Sequence, residues 1–205
     1  MRRVAFGARA ALTRARSLMM AGLVTGTLAS AACERAPRFD GVAVDPPRPM
    51  PTFAFRLADG SEFSTAPRAG RPLVLFFGYT HCPDVCPTTL AEWKRVRQTL
   101  GSRADSVRFV FVTVDPDRDT QAVAQRYAQQ YDRTFVGVSG DAPVTARIME
   151  AFGVAAAKEE GSAASGYLVS HSSQAFLMDD AGRLVALYPF GTRWEALAAD
   201  LDRLL

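Results

Sequence analysis

The chain has only two histidines and three cysteines in 205 residues. Any thiol or soft-metal chemistry must therefore draw on His81, His171, Cys33, Cys82 and Cys86. No uninterrupted apolar run reaches the roughly 20 residues that a membrane-spanning helix needs; the uncharged stretch Ser17 to Ala32 is broken by Gly, Thr and Ser. Acids are absent from the first 33 positions, which hold Arg2, Arg3, Arg9, Arg14 and Arg16. Beyond them, 19 of the 24 basic residues remain against 21 acidic ones, so the formal charge of +3 becomes −2. The basic excess belongs to the N-terminal segment, and nothing left over forms a nucleic-acid footprint.

A charged start, an uncharged stretch and small residues before Cys33 make residues 1–33 an expected export signal, with a retained membrane anchor as the alternative. Leu28-Ala29-Ser30-Ala31-Ala32-Cys33 is similar to a lipoprotein signal, in which the cysteine becomes the lipidated first residue. Ordinary cleavage near Ala31 or Ala32 is the other outcome. An exported domain meets an oxidising space. There Cys82 and Cys86 tend to form a disulfide unless a reductant or a metal holds them reduced. A bridge closing so short a loop contributes little stability, so the pair points to redox or metal chemistry rather than to a structural staple.

Residues 34–51 contain Pro37, Pro46, Pro47, Pro49 and Pro51 and are expected to be an extended tether. The globular part is expected over 52–205. Phe53–Leu57 and Ser61–Phe63 form an N-terminal β-hairpin around a two-residue Asp59-Gly60 turn. Leu73–Tyr79 and Val107–Val114 are central strands, too continuously apolar for one solvated face. Pro87–Leu100, Thr120–Tyr131 and Ala142–Phe152 are helices, the last ending at Gly153, and Phe135–Ser139 is a short strand. Residues 155–166 are expected to be a surface loop. Ser172–Met178 and Arg183–Tyr188 form a hairpin, and Thr192–Leu205 is a closing helix with Thr192 as N-cap and Glu195 three residues on. This order predicts an α/β layer architecture with a central mixed sheet, whose crossovers put Cys82, Asp115 and His171 at one edge.

Cys82 and Cys86 stand four positions apart in Phe77-Gly78-Tyr79-Thr80-His81-Cys82-Pro83-Asp84-Val85-Cys86-Pro87, at a strand-to-helix junction. Residues i and i+4 share a helix face about 5–6 Å apart at Cβ, and a helix N-terminus favours thiolates. Such a pair can hold a soft metal or close a disulfide. His171 is the candidate imidazole that completes a Cys2His set, against the alternative of a hydrogen-bonded loop histidine. His81 is expected beside the site or in a structural role. Two thiolates and an imidazole select Cu(I), and a set of three leaves an opening for transfer; zinc with His81 or Asp115 as a fourth ligand is the rival. Asp115, in Asp115-Pro116-Asp117-Arg118-Asp119-Thr120, is expected to tune the charge of the site or to ligate an oxidised metal weakly. Asp117 and Asp119 read as acids at a helix start, with Asp119 in or near an N-cap.

The cysteine segment, then Val112-Thr113-Val114-Asp115-Pro116-Asp117-Arg118-Asp119-Thr120, then His171-Ser172-Ser173 with Phe176-Leu177-Met178-Asp179, together resemble the Sco/SenC family from about Phe53 to Leu205. The resemblance implies a thioredoxin-like three-layer fold and copper, as Cu(I) with Cu(II) as a second state, on Cys82, Cys86 and His171. It implies an extracytoplasmic domain tethered at the periplasmic face of the inner membrane. The implied duty is maturation of the dinuclear copper centre of cytochrome c oxidase. The implied partners are the copper-bearing oxidase subunit and an upstream copper donor. The family usually has Asp before the ligand histidine, where this chain has Ser170. A thiol–disulfide oxidoreductase that reduces the oxidase cysteines through Cys82 and Cys86 is the alternative, although such enzymes have two residues between their cysteines rather than three. A peroxide-reducing thiol protein would need a single activated cysteine with Thr and Arg nearby, and Cys82-Pro83-Asp84-Val85-Cys86 does not match that pattern.

Overall fold

The computed structural model describes residues 38–161 and 166–205. The expectations for the export signal, for Cys33 and for the start of the tether lie outside the described residues. Two segments set the core. Leu73–Gly78 (β4) and Arg108–Thr113 (β5) are buried at every position, as strands must be when both faces of a sheet are covered. They pair in parallel, from Leu73 opposite Arg108 to Gly78 opposite Thr113. Val136–Val138 (β6) continues the parallel part beyond β5. On the other side of β4, Ala175–Met178 (β9) and Arg183–Tyr188 (β10) add antiparallel strands, and Val42–Pro49 (β1) closes that edge. The order β1-β10-β9-β4-β5-β6 makes a mixed six-stranded sheet.

The pleat of β4 divides the core in two. Val74 and Phe76 face Val85–Leu100 (α1), Gln121–Gln129 (α2) and Trp194–Leu204 (α4). Leu73, Leu75 and Phe77 face Ala142–Phe152 (α3) and the hairpin of Ala54–Arg56 (β2) and Glu62–Ser64 (β3). The result is three layers, with no helix among the described residues long and apolar enough to cross a membrane.

Several local expectations need correction. Residues 42–49, read as part of an extended tether, form β1. Proline is tolerated on an edge strand, where its missing N–H faces no neighbour, and the register shifts between Ala43 and Arg48, across Pro46-Pro47. Residues 155–166, read as loop, include Ala156–Glu159 (β7), paired antiparallel with Leu168–His171 (β8). Ala-Ala-Lys-Glu carries no strand signal of its own; the partner strand supplies it. Consequently His171 ends β8, and β9 starts at Ala175 rather than Ser172. The closing helix is capped by Arg193 without a side-chain bond, because Thr192 is held in the preceding turn by its N–H to Pro189 O at 2.9 Å. The β2–β3 turn is one residue longer than expected, since Leu57 N–H reaches Ser61 O at 2.8 Å. Gly101–Ser106 adds a 3-10 helix. By contrast, Asp141 caps α3 through Val144 N–H at 2.9 Å, and Gly153 ends it at φ +66°.

Candidate metal centre

The β4–α1 connection presents the two thiols. Cys82 N–H bonds Tyr79 O at 3.2 Å, which tightens the loop before α1. Asp84, the N-cap of α1, makes no side-chain cap. The Cys82 sulfur takes that place, accepting the Cys86 N–H at 3.4 Å. A sulfur there lies at the positive end of the helix dipole, which favours the thiolate. Cys86 is fully buried and Cys82 is half-buried. Cys86 fits only because residue 78 is glycine: a Cβ on Gly78 would lie 2.7 Å from Cys86 Sγ and 2.9 Å from the Phe111 ring.

His171 reaches the thiols from β8. Its Nε2 is 3.7 Å from Cys86 Sγ, and its Nδ1 is 3.0 Å from Ser172 O. A carbonyl can only accept, so Nδ1 donates to it, and Nε2 is the ring nitrogen turned toward the sulfurs. Phe76 and Tyr79 meet the imidazole edge-on, with centroids at 6.0 and 5.9 Å. The ligand atoms of Cys82, Cys86 and His171 all lie within 4.8 Å of one another. Cys82 and His171 line a cleft of about 380 Å³, whose walls also include Pro83, Val85, Leu168 and Glu159, while Cys86 is buried behind it.

The two thiols are not equivalent. A hydrogen bond from Cys86 holds Cys82 well below the ordinary thiol range, at about 4, and His171 adds to the effect. Cys86 is pushed up by the same bond and by burial. Cys82 is therefore the standing thiolate and Cys86 the proton donor beneath it.

The remaining candidates fall outside this cluster. Asp115 is buried, accepting Arg118 Nε at 2.5 Å and the Tyr167 hydroxyl at 2.6 Å. With both oxygens engaged it belongs to a hydrogen-bonded network and is not among the clustered donors. His81 stands on the surface, 3.2 Å from Thr80 Oγ1 and 3.8 Å from Asp119 Oδ1. Asp119 is no cap, since Thr120 caps α2. It is fully buried and accepts Thr80 N–H at 2.8 Å, Thr80 Oγ1 at 2.5 Å and Thr113 Oγ1 at 2.7 Å. Asp117 is exposed and pairs with Lys158 at 2.7 Å. Ser170 Oγ donates to Glu159 Oε1 at 2.8 Å, so a carboxylate stands beside the position before His171. Sequence reading missed Tyr79, Tyr167 and Gly78; the glycine at the end of an otherwise apolar run was the available signal.

Residues 43–205 match the family model described as SCO1/SenC. A Stutzerimonas stutzeri protein named for copper binding is 35% identical over 179 residues, 84% of this chain and 85% of its own length. Among solved structures, apo Sco1 of Thermus thermophilus has a TM-score of 0.72 at 35% identity, covering 82% of this chain and 98% of that one. ScoI of Bradyrhizobium japonicum with copper bound has a TM-score of 0.68 at 35% identity, covering 77% and 99%. The fold they share with this chain is thioredoxin-like. With a match that runs from β1 to the C-terminus and takes in the whole Cys82–Cys86–His171 cluster, this chain belongs to the SCO1/SenC family.

Proposed function

We propose that this protein is a membrane-tethered, extracytoplasmic copper metallochaperone serving assembly of the dinuclear copper centre of cytochrome c oxidase, with copper as its cargo. The observation that carries the reading is the convergence of two sulfurs and one imidazole nitrogen within 4.8 Å beside an open cleft. That donor set is soft, and among the described residues no fourth Cys, His or carboxylate joins it, which favours Cu(I) over structural zinc. Cys86 and His171 hold the ion from the protein side. Cys82, on the cleft wall, is the ligand that an incoming thiol of a partner can replace. The family's place in oxidase assembly supports the copper-bearing subunit as acceptor. The acid-free, Arg-containing residues 1–33 support export and a periplasmic-face location, with Cys33 as the lipidation site.

The unequal thiols favour a second reading, reduction of the acceptor's disulfide. Cys82 thiolate attacks one target sulfur, a mixed disulfide forms and the other target sulfur leaves. Cys86 then gives up its proton and attacks Cys82, closing Cys82–Cys86 and freeing the second target thiol. Two electrons pass to the target, Cys86 supplies one proton and solvent water supplies the second, so that both target sulfurs end as thiols. Cu(I) titration of the reduced protein against a competing chelator separates the two. Tight one-to-one binding that falls at least about 100-fold in His171→Ala supports metal delivery. Binding indifferent to His171 removes the Cys2His assignment and leaves the dithiol reaction.

A further inference from the structure

β8 carries His171 but belongs to a separate two-stranded sheet with β7, hydrogen-bonded to none of the six strands that position the cysteines. Side chains must therefore set its distance from Cys82 and Cys86. In an extended strand, residues i and i+2 share a face, so Val169 and His171 point the same way, and Tyr167 immediately precedes the strand. Val169 is buried in the core beside α1, and Tyr167 packs against that same cluster. We infer that Tyr167 is the positioning residue for His171, locking β8 to the β5–α2 turn.

The lock has three parts. The Tyr167 hydroxyl donates to Asp115 Oδ1 at 2.6 Å. Arg118 donates to Asp115 Oδ2 at 2.5 Å and, through Nη1, to Tyr167 O at 2.9 Å. Its guanidinium carbon stands 3.5 Å from the Tyr167 ring centroid, and Lys158 Nζ stands 4.6 Å from the same centroid. One phenol is thus fixed at its oxygen, its backbone carbonyl and its ring. The same turn also holds the cysteine loop, because Asp119 accepts both Thr80 N–H and Thr80 Oγ1 two residues before Cys82. The His-bearing strand and the Cys-bearing loop are referred to a single turn, Asp115 to Asp119. Asp115 acts there through Tyr167 and Arg118, without touching the metal. The inference rests on the reading of His171 as a copper ligand.

A double-mutant cycle on the full-length protein tests it, with Cu(I) competition measured for wild type, Tyr167→Phe, His171→Ala and the double variant. Tyr167→Phe keeps the ring beside both cations and removes only the hydroxyl. The expected result is a loss of about tenfold in affinity for Tyr167→Phe, the low end of what residues supporting a metal ligand contribute, and no further loss when the change is made in His171→Ala. Asp115→Asn, which leaves Tyr167 in place, is the second variant should Tyr167→Phe unfold. Equal losses with and without His171 overturn the positioning role. So does the absence of any loss from Tyr167→Phe while His171→Ala still weakens binding, and in that case the Cys2His site stands. A His171→Ala protein that binds like wild type overturns the copper-ligand reading and the positioning role with it.

Discussion

Cys86, in the first turn of α1, is sealed against Gly78 while Cys82 stands on the cleft wall, and one hydrogen bond between the thiols divides their chemistry. With Cys82 lowered to about 4, its alkylation by iodoacetamide in the metal-free reduced protein should be flat from about pH 8 down to about 5. It should fall only as pH drops through about 4, because the thiolate, the reactive form, is protonated there. Cys86→Ala removes the largest cause of the lowering, so the inflection should move up toward the ordinary thiol range near 8.5. An unchanged inflection would mean that the helix terminus and His171 hold the thiolate without Cys86. The identity of the three candidate donors was legible at this scale, since the chain offers so few Cys and His. The difference between the two cysteines was not, because a thiol's proton depends on what lies within 4 Å of it in space.

At the scale of elements, the site is two strand-to-helix connections clasped together. Asp119 joins the β4–α1 loop to the end of β5 through Thr80 and Thr113. Asp119→Ala leaves the buried Thr113 hydroxyl and the part-buried Thr80 donors unpaired, and at about 1–3 kcal/mol for each buried group the variant should lose about 3 kcal/mol in a urea unfolding titration. Asp119 read as a helix-start acid in the sequence. The spacing Asp-x-x-x-Asp before an amphipathic stretch does not reveal that its carboxyl turns back toward a loop 39 residues earlier. Gly78→Ala tests the packing of β4 against α1. Its Cβ would displace Cys86 Sγ, so overpacking should cost about 1–3 kcal/mol and Cu(I) affinity should fall with it. Full retention of affinity would show that Cys86 can move without harm to the site.

Across the whole molecule, the sheet edge is held by a latch far from the metal centre. Asp200, fully buried on α4, accepts Asp40 N–H at 2.9 Å, Gly41 N–H at 3.0 Å and the Tyr188 hydroxyl at 2.7 Å, and Arg203 also donates to it. Asp200→Ala should loosen residues 42–49 first, seen as faster amide exchange in β1 than in β4 or β5. Uniformly faster exchange would instead mean that β1 unfolds only with the domain. The metal centre ties the fold together in another way, because its donors come from residues 82, 86 and 171. A ligand that binds only the folded state at about 1,000 times its Kd adds about 4 kcal/mol, or roughly 8–16 °C in Tm for a chain of this size. Saturating Cu(I) should raise Tm by about that amount in the wild type and by much less in His171→Ala, as calorimetry under reducing conditions would report.

By itself the sequence determined the central strands β4 and β5, the helices α1 to α3, the layered mixed-sheet architecture and the small set of side chains able to hold a soft metal. These are local signals: continuous apolar runs, apolar residues at helical spacing, a terminal Gly153, and scarce Cys and His. Only the tertiary structure decided that Val42–Pro49 is a strand, that Ala156–Glu159 pairs with Leu168–His171, and that Asp115, Arg118, Asp119 and Tyr167 form a support rather than ligands or caps. The physical reason is the same in each case. A proline-containing edge, a short Ala-Ala-Lys-Glu segment and a buried carboxylate have no preferred state of their own. Each takes the state that satisfies the backbone groups or charges of a partner distant in the chain.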